Sequence, residues 1–305
     1  MIIYSILYEG VLNKTPTVLG DKVFQYYKDL KSSKYAQYFL KKYKEESPLK
    51  INYEYNVLSL YTNQNTFKLD KKNIKERNVK EYFKKHSEII EEVFPKLSKE
   101  IDFDTYYTNN ILNEYSKVCI EIEKMFASSN IEECLNVFWK LSYEPILIFI
   151  PNFLSTGDCF GINKGQKFFS ISSAKINKKT MRRGYSSVHV LSNAIHEFSH
   201  SFLKESIIEM GVTSLNEKLT EQNLLKLKRS NKVSDIYGKK YFLECFDRAV
   251  TLRLNEIIGL YRVSEEILKK EEDLGYIYTE NFYKNLIKNG NRAPVEIYIE
   301  TMKNL

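Results

Sequence analysis

Through most of this chain, apolar side chains recur every three or four positions, the spacing of helices that bury one face. Over 19–143 the pattern predicts helices at 21–30, 34–44, 76–94, 102–125 and 131–141. The third carries Val79, Phe83, Ile90 and Phe94, and Pro95 is expected to close it. Residues 51–57 alternate apolar and polar as a strand does, and fit the start of a helix equally well. Residues 1–8 read as a strand.

The pattern changes at Pro145. Residues 146–150 are a short apolar run between prolines, expected as a buried strand. Residues 158–162 and 167–173 flank Asn163-Lys-Gly-Gln166 as a hairpin. A longer helix follows, with Ser186 or Ser187 as its cap and Gly211 as its stop. Residues 211–240 read as polar and connecting, with one short helix near 217–227. A strong helix at 241–258 ends at Gly259, and further helices are expected at 265–272, 280–288 and 295–303, with 275–278 as a link. The expected class is α+β, mostly helical: a helical N-terminal region at 1–144, then a core at 145–305 made of a small sheet, the long helix and a helical C-terminal part.

Composition narrows the function classes. With 43% hydrophobic and 28% charged residues, the chain has globular composition. Its net charge of +7 comes from lysines interleaved with Glu and Asp along helices, a solvated surface and not a nucleic-acid patch. Cys119, Cys134, Cys159 and Cys245 form no closely spaced pair and are expected as free thiols. No apolar run reaches membrane-spanning length. The first residues lack a basic segment and meet Glu9 too early for a signal peptide, so the expected location is the cytoplasm; a secreted mature chain restarted at Met would read the same. Nothing in the sequence sets the oligomeric state.

The chemistry concentrates at His196-Glu197-Phe198-Ser199-His200. On a helix, residues four apart share one face about 6 Å apart along the axis, so two imidazoles can grip one ion. Glu197, beside the first histidine, can reach a metal-activated water as general base without itself ligating. His189, Asn193, His196 and His200 form a polar stripe on a helix otherwise lined by Leu191, Ile195, Phe198, Phe202 and Leu203. Such a stripe needs partners, because buried polar groups cost free energy when unpaired.

A catalytic zinc takes three protein ligands and keeps one position open. No histidine follows His200. Leu203 and Ser206 stand where a longer motif would need Gly and His, which excludes that arrangement. His189 is two turns from His196, about 10 Å along the axis and too far to share the ion. His86 lies in an amphipathic helix and reads as a surface residue. A downstream carboxylate remains. Glu205 and Glu209 lie beyond the zinc face, and Glu217 and Glu221 sit in a charged segment. Glu244, set among Phe242, Leu243, Cys245 and Phe246, is the expected ligand; its competing role is an ion pair with Arg248 at i+4. Asp247 is placed to orient a ligating imidazole, and Arg248 to hold Glu244 or face substrate. His189 and Asn193 either line the cleft or bond within the core. Tyr185, Tyr241, Tyr276 and Tyr278 are possible oxyanion donors.

This set, His196-Glu197-x-x-His200 with a helical Glu244 downstream, is similar to the gluzincin class of zinc metallopeptidases. More narrowly, Cys159-Phe-Gly-Ile, Phe168-Phe-Ser-Ile, Val188-His-Val, His196-Glu-Phe-Ser-His-Ser-Phe202 and Glu244-x-x-x-Arg-Ala249 resemble an uncharacterised bacterial domain-of-unknown-function family assigned to the metallopeptidases. The likeness covers about 145–305. It implies a zincin-like fold, zinc on His196, His200 and Glu244, and Glu197 as base. The chain departs from thermolysin-like enzymes, which have Asp four residues after the Glu, where this one has Arg248.

The expected function is zinc-dependent hydrolysis of peptide bonds in a peptide or protein substrate. The strand at 168–173 is expected to pair with an extended peptide. The alternatives are a non-catalytic zinc-binding or scaffold protein, against which an intact Glu197 argues, and a zinc hydrolase of a non-peptide substrate.

Overall fold

The computed structural model describes residues 32–63, 66–74, 77–152, 159–176, 183–227 and 232–305. The strand expected at 1–8 and the helix at 21–30 lie outside them. The chain divides into two compact units. One takes Met1–Glu121, Pro151–Asp158 and Ser173–Gly184; the other takes Ile122–Ile150, Cys159–Ser172 and Tyr185–Leu305. The protein is α+β and mostly helical, with one three-stranded mixed sheet and a two-stranded ribbon among the described residues.

In the first unit, α1 (Lys34–Lys42), α2 (Pro48–Ser59), α3 (Arg77–Glu88) and α4 (Phe94–Glu100) follow the amphipathic pattern. The Ser33 hydroxyl accepts from the Tyr35 N–H and caps α1. Residues 51–57 are helical: Ile51, Tyr55 and Leu58 recur at turn spacing and are all buried. The rings of Phe39, Tyr43, Tyr55 and Phe94 pack with neighbouring centroids 4.8 to 6.2 Å apart.

Two expectations fail in this unit. Pro95 does not close a helix. The chain runs from α3 through a π-helical turn at Ile89–Val93 directly into α4, with Pro95 in its first turn. His86 is fully buried, not at the surface. Its Nε2 lies 2.6 Å from Glu54 Oε2 and its Nδ1 2.5 Å from the Tyr43 hydroxyl. Those partners come from α2 and the end of α1, so hydropathy along α3 alone could not reveal the socket. Beyond α4, α5 (Phe103–Tyr106), a second π-helical turn at Tyr107–Ile111 and α6 (Leu112–Ala127) run on without a break and make up the helix expected at 102–125.

The second unit begins within α6 and continues with α7 (Ile131–Trp139), β1 (Ile146–Asn152), β2 (Cys159–Lys164) and β3 (Lys167–Ser173). β2 and β3 form the expected antiparallel hairpin, turning at Gly165 with φ +58°. The strand order is β1-β3-β2, which makes β3 central. Ile146 N–H donates to the Gln166 carbonyl at 2.9 Å where β1 and β3 both start, as in a parallel pair. With a neighbour on each side, the strand at 168–173 has no edge to offer an extended peptide, and that expectation falls. The ribbon of β4 (Lys175–Ile176) and β5 (Arg183–Gly184), next in sequence, belongs to the first unit.

The helices of this unit are α8 (Ser187–Glu209), α9 (Thr213–Lys226), α10 (Lys232–Tyr237), α11 (Tyr241–Ile257), α12 (Glu265–Asp273), α13 (Thr279–Lys288) and α14 (Pro294–Lys303). Among the described residues, the segment at 211–240 thus carries two α-helices and a 3₁₀ turn at Gly238–Lys240, not one short helix. Gly211 (φ +64°) and Gly259 (φ +73°) adopt the left-handed backbone that ends α8 and α11. α8 packs on β2 and on α11, which also packs on α13. Phe168, Phe198, Phe202, Phe242, Phe246, Phe282 and Tyr298 are fully buried between these elements. No described helix is long and apolar enough to cross a membrane. The four cysteines are free thiols.

Candidate metal centre

The site is built where α8 meets α11. α8 starts at Ser186, whose hydroxyl accepts the His189 N–H, and runs without Gly or Pro through the motif. Its 3.6-residue period stacks His196 over His200, ring centroids 4.6 Å apart and the two Nε2 atoms 3.1 Å apart. α11 buries most of its length, and Glu244 and Asp247 are buried with it. Glu244 Oε1 lies 3.5 Å from His196 Nε2, and Oε2 lies 3.3 Å from His200 Nε2. His196, His200 and Glu244 are, among the described residues, the one group of three able to hold a metal ion.

The opposite edges of both rings are held. His200 Nδ1 is 2.5 Å from Asp247 Oδ2. His196 donates to the main-chain carbonyl of Asp247, and that carbonyl also accepts the Thr251 hydroxyl at 2.7 Å. Thr251 Oγ1 is itself 3.3 Å from His196 Nδ1. With the Nδ1 side of each ring set against Asp247, both Nε2 atoms point to one place, and a carboxylate faces the same place. Such a convergence of electron-rich atoms calls for a cation. The size fits as well. The Nε2–Nε2 separation of 3.1 Å and the 3.3 Å from His200 Nε2 to Glu244 Oε2 are close to the roughly 3.3–3.4 Å between neighbouring ligands that sit about 2.0–2.1 Å from one ion, and the other carboxylate oxygen, Oε1, is 3.5 Å from His196 Nε2.

The surroundings set the protonation states. Burial, with the neighbouring His200, holds His196 down to about 3 and so keeps it neutral. Burial opposes charge on His200, but Asp247 beside it raises its pKa well above the usual value. Burial would lift Glu244, yet the His200 hydrogen bond, both imidazoles and Arg248 outweigh it and hold the carboxyl at about 2. Glu197, 5% exposed, moves the other way. Burial pushes its carboxyl up to about 7 against the pull of His200, and the Gly161 N–H donates to it. β2 comes so close here that a Cβ on Gly161 would lie 2.5 Å from the Glu197 carbonyl oxygen.

Arg248 does what the competing reading of Glu244 asks, and Glu244 faces the histidines as well. Arg248 Nε donates to Glu244 Oε1 at 2.9 Å, and Nη1 donates to Glu271 Oε2 at 2.9 Å. Its guanidinium lies 3.6 Å from the centroid of the Tyr276 ring. Asn193 and His189 stand about one and two turns before the converging group. The Asn193 amide nitrogen is 3.2 Å from Cys159 Sγ and 3.2 Å from the His189 ring. The Tyr241 hydroxyl donates to the Gly275 carbonyl at 2.7 Å, which makes it a tie to the 275–278 link. Tyr185 donates to the Ser172 carbonyl at 3.4 Å, and Tyr278 packs on Phe242 with centroids 5.4 Å apart.

Gly161, Thr251 and Glu271 join the site although the sequence pattern does not single them out. A glycine inside an apolar strand is a signal for close backbone approach and could have marked Gly161. Thr251, one turn beyond Asp247 on α11, carries a weaker signal. Nothing local marks Glu271. No family model matches the chain, and neither a curated protein nor a solved structure matches it.

Proposed function

We propose that this chain is a zinc-dependent hydrolase of peptide bonds. The observation that carries the reading is the convergence of His196 Nε2, His200 Nε2 and a Glu244 oxygen, with Glu197 buried beside them. Two imidazole nitrogens and one carboxylate oxygen suit zinc, which takes three protein ligands at a catalytic site and keeps one position open. Bound there, zinc would supply a Lewis acid that polarises a carbonyl and acidifies a water.

The chain's own residues supply the rest. Glu197 ionises near neutral pH, so it can take a proton from the attacking water and return it to the leaving amine. The Gly161 N–H fixes the carboxylate that does this. Asp247 orients His200 through Nδ1 and, through its carbonyl, His196. A binding protein has no need of a carboxyl group buried beside the metal ligands and held by the Gly161 N–H, which favours catalysis over a scaffold role.

The test is digestion of an unbiased peptide library by the zinc-loaded protein, with and without chelator. Chelator-sensitive cleavage is the expected result. A zinc-loaded protein that leaves every peptide intact would contradict the reading.

A further inference from the structure

We infer that Arg248 is a positioning residue for this centre: pinned by Glu271 and Tyr276, it holds one oxygen of Glu244 and leaves the other as the ligand. The inference rests on the metal-centre reading above. Arg248 is fixed from three directions, by Glu244 at 2.9 Å from Nε, by Glu271 at 2.9 Å from Nη1 and by the Tyr276 ring 3.6 Å from the guanidinium. Two charge-assisted bonds and a stacked ring remove the freedom of an otherwise flexible side chain.

These partners come from a separate element. Glu271 lies in the last turn of α12, and Tyr276 follows in the link, its N–H donating to the Glu271 carbonyl at 3.0 Å. The Tyr241 hydroxyl, on α11, holds the same link at Gly275. An ion pair between Glu244 and Arg248 at i+4 needs none of this. The arrangement makes sense if the direction of the Glu244 carboxylate matters. A carboxylate with both oxygens free can chelate an ion and occupy two positions. Both oxygens face the histidines, Oε1 3.5 Å from His196 Nε2 and Oε2 3.3 Å from His200 Nε2; because Oε1 is the one that accepts from Arg248, Oε2 is left as the ligand, and a bound ion would keep a fourth position open.

Cobalt(II) reads this directly, because its visible absorption weakens as coordination rises from four ligands to five or six. Metal-free protein refilled with one equivalent of cobalt(II) should show the strong absorption of a four-coordinate ion. Arg248→Met and Glu271→Ala should each weaken it by at least about twofold, as Glu244 turns to bind through both oxygens. Arg248→Lys, which keeps one donor for Oε1, should recover part of the loss. Thermal unfolding of the metal-free variants separates a folding effect, and Glu271→Ala decides alone if Arg248→Met does not fold. Parent-like spectra in the folded variants would overturn the inference and leave the metal centre standing. A parent that takes up no cobalt would overturn both.

Discussion

Glu197 shows how much of this chemistry is set by single side chains. Burial brings its carboxyl to about 7, so it can lose and regain a proton near neutral pH. Glu197→Gln keeps the shape and removes the basicity. Hydrolysis should fall by roughly 10²–10⁴-fold, the share of a positioned general base, with zinc uptake unchanged. Turnover assays beside metal analysis check this, and parent-like turnover would remove Glu197 from the mechanism. Gly161 acts through what it lacks. In Gly161→Ala the new Cβ would fall 2.5 Å from the Glu197 carbonyl oxygen, and both groups are backbone-anchored. The strand must shift, at a cost of about 1–3 kcal/mol typical of overpacking. Activity should fall with the displaced carboxylate while metal content holds; unaltered melting and turnover would contradict the close approach. His196, Glu197 and His200 were legible because i,i+4 spacing on a helix fixes their relation. Gly161 was not, because its role depends on how closely another element approaches.

At the scale of elements, α11 matters most. It places Glu244, Asp247 and Thr251 at helical spacing toward α8, on a helix that also buries Phe242, Phe246 and Val250. Carboxylates set among so many apolar residues stand out, so Glu244 and Asp247 are legible from the amino-acid sequence alone. Asp247→Ala should weaken zinc binding by roughly 10–100-fold, as expected for a group that orients a ligand. Competition with a chelating dye measures this, and unchanged affinity would reduce Asp247 to a packing residue. Most helices were legible from their period and end residues, Ser186 and Gly211 among them. The π-helical turns at Ile89–Val93 and Tyr107–Ile111 were not, since one inserted residue disturbs the periodic pattern only slightly. The position of β3 in its sheet was hidden as well. Residues 167–173 pair with 159–164 by hairpin logic, but the place of β1 depends on contacts no local pattern records.

Across the whole molecule, acid sensitivity has a source far from the motif in sequence. Burial lowers the His86 pKa below its ordinary 6.5; Glu54 pulls it up, while Lys85 pushes the same way as burial. Tyr43 and Tyr55 complete the surroundings. Above 6.5 both folded and unfolded chains keep His86 neutral, and it adds no pH dependence. As pH falls below that value, the unfolded chain takes the proton first, and stability drains away until the lower folded pKa is reached. The melting temperature of His86→Gln should therefore fall less steeply than the parent's between about pH 7 and pH 5. Parallel slopes would contradict the assignment.

The central claim is that α8 and α11 together hold one ion. Elemental analysis of the zinc-supplemented, exhaustively dialysed protein tests it most directly, with Glu244→Ala run beside the parent. The account predicts about one zinc per parent chain and severe loss in Glu244→Ala, because that variant removes the one ligand outside the motif helix. A parent without stoichiometric metal, or a Glu244→Ala variant that retains zinc as tightly as the parent, would contradict it.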